Sequence, residues 1–120
     1  MGGETPKRLR FGRGARIKQG RDFARVRRQG ERITTGCLIA NWQSTSGRSR
    51  LGVVTARRLG NAVVRNRARR LLRESFRLHQ HELAGSVDLV LVARSSIVGK
   101  PLAAVEKDFL TTLRKAGLLK

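Results

Sequence analysis

Two hydrophobic periods alternate along this chain. Asp22, Phe23, Val26 and the closing Gly30 mark a short helix, with Phe23 and Val26 three apart and basic residues around them. Ile33 to Trp42 and Leu51 to Thr55 are β-branched or apolar runs separated by Ser44, Thr45, Ser46 and Gly47, which predicts an antiparallel hairpin with a longer loop. Val87 to Ala93 (VDLVLVA) is an almost continuous apolar run of the kind buried in a sheet. After Pro101 a helical period sets in and runs to about Ala116. Leu102, Val105, Phe109, Leu110 and Leu113 share its inner side, with Glu106, Lys107, Asp108 and Arg114 outside.

The segment from Asn61 to about His79 (NAVVRNRARRLLRESFRLH) has no internal Pro or Gly and opens with an Asn suited to capping the first turn. At about 100° per residue, Val64, Ala68, Leu71, Leu72 and Ser75 form one inward stripe. Arg65, Arg67, Arg69, Arg70, Arg73 and Arg77 fall outside it with Asn66. Like charges four apart destabilise a helix by a few tenths of a kcal/mol per pair, and the row Arg65, Arg69, Arg73, Arg77 repeats that cost with Glu74 the only acid nearby. A surface that is merely solvated mixes acids and bases. This one is built to meet an anion.

Composition sharpens that reading. The 120 residues suit one domain, and 39% hydrophobic content is enough for a core. Lys and Arg number 27 against 8 Asp and Glu, for a net charge of +19. Of these bases 21 are Arg, the side chain that grips phosphate bidentately and stacks on bases, which favours nucleic acid over a membrane surface. Residues 1–77 carry +17 of the charge, so one polarised domain is expected, with residues 1–16 a basic, Gly-containing flexible arm and residues 17–120 the folded unit. Gly12 and Gly14 do not complete a nucleotide-binding glycine motif, because Ile17 holds the last position. No apolar run is long enough to span a bilayer and no secretory h-region follows the basic start, so a cytoplasmic protein without a membrane partner is expected. The single cysteine, Cys37, lies in an apolar run and reads as a small buried hydrophobe. Charge of this size also predicts self-repulsion that anions or RNA would relieve.

The chain offers little for chemistry of its own. Two-metal hydrolysis needs clustered acids, whereas Asp22, Glu31, Glu74, Glu82, Asp88, Glu106 and Asp108 are scattered. His79 and His81, two apart, point away from each other on a helix. No nucleophile-elbow or Walker motif is present, so no catalytic residue and no metal ligand is assigned. A strand rather than a second helix precedes the arginine helix, which disfavours helix-turn-helix DNA binding. RNA, whose deep major groove is closed to side chains, would be gripped by backbone and shape.

Arg50 to Phe76 (RLGVVTARRLGNAVVRNRARRLLRESF) resembles the signature of the bacterial ribonuclease P protein subunit: a strand, two basic residues, a Gly-containing turn and an Arg-Asn-Arg helix. Arg16 to Val26 resembles that family's first helix, and Val87 to Arg94 the strand after its signature helix. The resemblance implies a single compact α+β domain, with a four-stranded central sheet, about three helices and a left-handed βαβ crossover, similar to ribosomal protein S5 domain 2. It implies a subunit of the endoribonuclease that removes the 5′ leader of precursor tRNA, with the catalytic RNA and precursor tRNA as partners and no obligate protein partner. Catalysis and magnesium binding would belong mainly to the RNA. The family's RNA-binding positions fall on Arg57, Arg58, Arg65, Asn66, Arg67, Arg69, Arg70 and Arg73, and its leader-binding aromatic on Phe23.

Two departures bear on the leader. A second family aromatic, one turn after the first, is replaced by Arg27, which would supply a cation in place of a ring. A third, on the first long strand, corresponds to Asn41, with Trp42 one residue away; that offset flips the face of a strand and predicts Trp42 outside the cleft or at a sheet edge. The alternative is a structural RNA-binding protein of the ribosomal type, which would share size and charge but have no role in processing.

Overall fold

A computed structural model describes residues 16–17 and 20–120. The basic arm, apart from Arg16, lies outside the described residues. The elements are α1 (Gly20–Gln29), β1 (Glu31–Thr35), β2 (Leu38–Ser44), β3 (Arg50–Val54), α2 (Ala62–His79), β4 (Val87–Ala93) and α3 (Leu102–Ala116). They form one mixed sheet in the order β1-β2-β4-β3, antiparallel except for the β3–β4 pair. One face packs against α2 and α3. The other is partly covered by α1, with Ile17 beside it.

Residue parity explains both faces. Leu38, Ala40, Trp42, Leu51, Leu89 and Leu91 point to the α2–α3 side, where Leu72, Phe76, Val105, Phe109 and Leu113 complete the main core. Val90 points to the opposite side and meets Ile17 and Val26, with Phe23, Val54 and Val92 packed around them. The apolar run of β4 is continuous because the strand is interior to the sheet and covered on both faces. Ile17 donates its N–H to Leu51 O (2.9 Å), so the chain is already held along the outer edge of β3 there.

The predicted hairpin between Ile33–Trp42 and Leu51–Thr55 does not form. The first run is two strands, folded back at Gly36 and Cys37 so that Thr35 pairs with Leu38 and Glu31 with Trp42. Gly36 supplies the positive φ (53°) that a tight turn needs, and a Cβ there would collide with the Asp108 carboxylate. Asp108 accepts the Cys37 N–H (3.0 Å), tying α3 to the turn. β3 pairs not with β2 but with β4, which enters between them after the α2 crossover and is covered on both faces. Cys37 is fully buried as expected, and burial together with Asp108 pushes its thiol up to about 12, leaving it protonated and a poor nucleophile.

The helices follow their sequence signals closely. Asn61 Oδ1 caps α2 by accepting the Val64 N–H (3.0 Å). α3 starts after Pro101 and ends at Gly117, whose left-handed φ of 72° lets the Leu118 N–H reach Leu113 O (3.0 Å). Where α2 ends, His79 is held by Glu82 at Nδ1 and by Glu106 of α3 at Nε2, each at 2.5 Å. Burial alone would lower this imidazole, but the two carboxylates outweigh it and raise it above its ordinary 6.5. A raised folded-state value stabilises fully below the unfolded value and ceases to do so as pH rises through the folded one. Thermal stability should therefore decline from about pH 6.5 upward in the native chain, and His79→Gln should flatten that decline. An equal slope in both proteins would remove this assignment.

Candidate nucleic-acid interface

Of the basic residues that the sequence singles out, Arg57, Arg58 and Arg69 gather just past the end of β3. Arg57 and Arg58 form an exposed 3-10 turn, Arg57–Leu59, directly after the strand. α2 then presents Asn66, Arg67 and Arg70 exposed and Arg65, Arg69 and Arg73 half-buried, while Ala68, Leu72, Ser75 and Phe76 are buried against the core. A shallow groove of about 440 Å³ runs among Val63, Asn66, Arg69, Arg70 and Arg73.

These arginines turn to two sides of the helix. Arg69 Nη1 donates to Thr55 Oγ1 (2.6 Å), at the end of β3, and Arg69 also bonds Asn66 Oδ1. Arg73 is held below the ordinary guanidinium value by burial and by the positive charges of Arg16 and Arg69. Arg65 Nε is buried without a protein partner. Cations crowded in this way repel one another until an anion arrives, so this side of α2 is arranged for phosphate. Arg67 turns to the other side, where its Nη1 donates to Lys100 O (2.9 Å). Arg77, in contrast, is engaged by Glu74 through bonds of 2.6 and 2.9 Å and belongs to the protein's own ion pairs.

Phe23 lies on the less covered face of the sheet. Its half-buried ring sits on Gly52, where any Cβ would strike the ring at 2.5 Å. Beyond α1 the sheet leaves Thr34 exposed and Ile39, Val54 and Val92 half-buried. Ile39 and Val92 continue into a groove of about 420 Å³ rimmed by Arg58 and Arg94. Arg27, one turn after Phe23, is exposed. Trp42, only 6% exposed, is buried in the core on the other face, not at an edge; Asn41 takes the α1 side. Among the described residues Phe23 is the only aromatic ring on this face.

The position of α1, and with it Phe23, is set by a charge cluster that sequence reading did not find. Asp88, the second residue of β4, is 2% exposed and accepts from Arg50 Nε (3.0 Å), Arg50 Nη2 (2.8 Å) and Arg25 Nη2 (2.8 Å). Asp22 stands 3.6 Å from Arg50 and 3.9 Å from Arg25. The Asp88 hydrogen bonds raise Arg50 further above its ordinary value despite burial. One carboxylate thus joins α1, β3 and β4. Asp88→Asn, which keeps the shape but drops the charge, should cost about 1–3 kcal/mol in urea unfolding; a change within 0.5 kcal/mol, the range of ordinary surface substitutions, would show the cluster to be incidental. Arg94, quoted in the strand motif but given no role there, is the other residue missed. Its only sequence signal is its place directly after the buried strand.

Six of the acids among the described residues have partners within the protein. Asp22 and Asp88 meet Arg25 and Arg50, Glu74 meets Arg77, Glu82 and Glu106 meet His79, and Asp108 accepts the Cys37 N–H. Among the described residues no three His, Cys, Asp or Glu gather where they could hold a metal. No helix among them is long and apolar enough to cross a membrane.

Comparison with known proteins places the chain in a family. The family model for ribonuclease P matches residues 11–117. The ribonuclease P protein component of Gluconacetobacter diazotrophicus is 38% identical over 109 residues, covering 88% of this chain and 94% of that one. That of Syntrophomonas wolfei is 35% identical over 105 residues, covering 87% and 88%. The solved ribonuclease P protein of Staphylococcus aureus superposes with a TM-score of 0.81 at 25% identity, covering 88% of this chain and 98% of that one. With an arginine helix beside β3, a single ring over Gly52 and a match along nearly its whole length, this chain belongs to the ribonuclease P protein family.

Proposed function

We propose that this chain works in the cytoplasm as the protein subunit of ribonuclease P, gripping the catalytic RNA with α2 and the Arg57–Arg58 turn and laying the single-stranded 5′ leader of precursor tRNA across the sheet face beside Phe23. The observation that carries this reading is β3 itself. Gly52 seats Phe23, Thr55 holds Arg69, and Arg57 and Arg58 follow directly. A leader strand on the sheet face and an RNA backbone on α2 would therefore converge along one strand. Water hydrolyses the phosphodiester at the leader–tRNA junction, leaving a 5′ phosphate on the mature tRNA and a 3′ hydroxyl on the leader. Because no three His, Cys, Asp or Glu side chains gather among the described residues, the magnesium and the catalytic groups are assigned to the RNA. The protein neutralises phosphates where the two backbones approach and positions the leader by stacking.

The test is cleavage of labelled precursor tRNA at low magnesium by a bacterial ribonuclease P RNA, with and without the chain, and by the chain alone. Stimulated cleavage at the mature 5′ end, with the chain alone inert, is expected. RNA binding without stimulation would favour a structural RNA-binding protein, and cleavage by the chain alone would overturn the assignment of chemistry to the RNA.

A further inference from the structure

Among the described residues two large hydrophobic side chains are exposed, Val63 at 74% and Val98 at 50%. Both adjoin Arg67. Val63 precedes it by one turn on α2, and Val98 shares with it an apolar cleft of about 110 Å³ whose other walls are Val64, Ala68, Ile97 and Gly99. This cleft lies on the side of α2 where Arg67 bonds Lys100 O, whereas Arg69 bonds Thr55 by β3. It is therefore separate from the sheet face assigned to the leader.

The cleft's size and surroundings select its occupant. It is well below the ~300–1,000 Å³ of ordinary small-molecule sites and suits one ring-sized group. Aliphatic walls with a guanidinium at the rim are the surroundings in which an unstacked nucleobase packs, and RNA is read where its bases are splayed out. The exposed Arg67 at the rim supplies a positive charge for a flanking phosphate, and a second copy of a chain with net charge +19 would be repelled. We propose that this cleft receives one unpaired nucleobase of the ribonuclease P RNA, giving the protein an apolar contact beside its phosphate contacts. The inference rests on α2 being the face for that RNA.

Salt dependence separates the two kinds of contact. Binding of ribonuclease P RNA is measured for the native chain, Val98→Ser and Arg67→Ala across a salt series. Val98→Ser, an exposed loop change, should weaken binding roughly five-fold without altering the slope of log K against log salt. Arg67→Ala should lower that slope by about 0.7–0.9. A photocrosslinker introduced as Val98→p-benzoylphenylalanine should mark an unpaired nucleotide. Native affinity in Val98→Ser, or a crosslink confined to a duplex stem, would overturn the proposal. So would a self-association of the native chain, seen by sedimentation, that Val98→Ser abolishes. An unchanged slope in Arg67→Ala alongside a weakened Val98→Ser would instead count against Arg67 as a phosphate contact while leaving the base site standing.

Discussion

Replacing Arg67, Arg69 and Arg73 together with alanine is expected to flatten the salt dependence of RNA binding. Each phosphate contact releases counterions and contributes about 0.7–0.9 to the slope of log K against log salt, so losing three lowers it by roughly 2.4. Between 50 and 200 mM salt the native chain should then lose roughly thirty-fold more affinity than the triple variant. Two of these guanidiniums also hold local structure, Arg69 through Thr55 and Asn66 and Arg67 through Lys100 O, so circular dichroism of the variant belongs to the same experiment. An affinity that drops at every salt concentration with the slope intact would mean that α2 is a scaffold and that the phosphates are met elsewhere.

Phe23→Ala should act on a different partner. Stacking of a base on an aromatic side chain contributes about 1–3 kcal/mol and tolerates any sequence, so precursor tRNA should bind the holoenzyme roughly 5- to 150-fold more weakly while mature tRNA, which has no leader, is unaffected. The effect should be large here because no second ring among the described residues shares the face: Trp42 is buried on the other side of the sheet, Asn41 takes the position beneath α1, and Arg27 stands where the family often has an aromatic. The ring also packs with Val26 and Val90, and Phe23→Leu, which keeps the packing but not the π face, separates stacking from bulk. Equal losses for precursor and mature tRNA in both variants would remove the leader from this face.

How much was legible depended on how local the signal was. The arginine helix, its Asn61 cap, the helix after Pro101 and the buried strand at Val87–Ala93 were each readable from a period or a cap within a few residues. The face of Trp42 was readable too, since strand parity is a local rule. The turn at Gly36 was missed because β-branched and apolar residues flank it on both sides and imitate one long strand. The pairing of β3 was misjudged because its partner lies beyond an intervening helix, and the nearest apolar run in sequence was preferred.

The charge cluster shows the same limit within the site. Asp88 reads as one more scattered acid, yet its partners are 38 and 63 residues away and meet it only when α1 crosses the sheet. The sequence by itself determined the helices, the buried strand at Val87–Ala93, the polarity of α2 and the anionic nature of its partner, because periodicity and net charge are properties of consecutive residues. The tertiary structure alone decided that β4 lies between β2 and β3, that Arg69 and Arg67 turn to opposite sides of their helix, and that one buried carboxylate sets where Phe23 rests. Those outcomes depend on which distant surfaces exclude water together, and no local pattern specifies that.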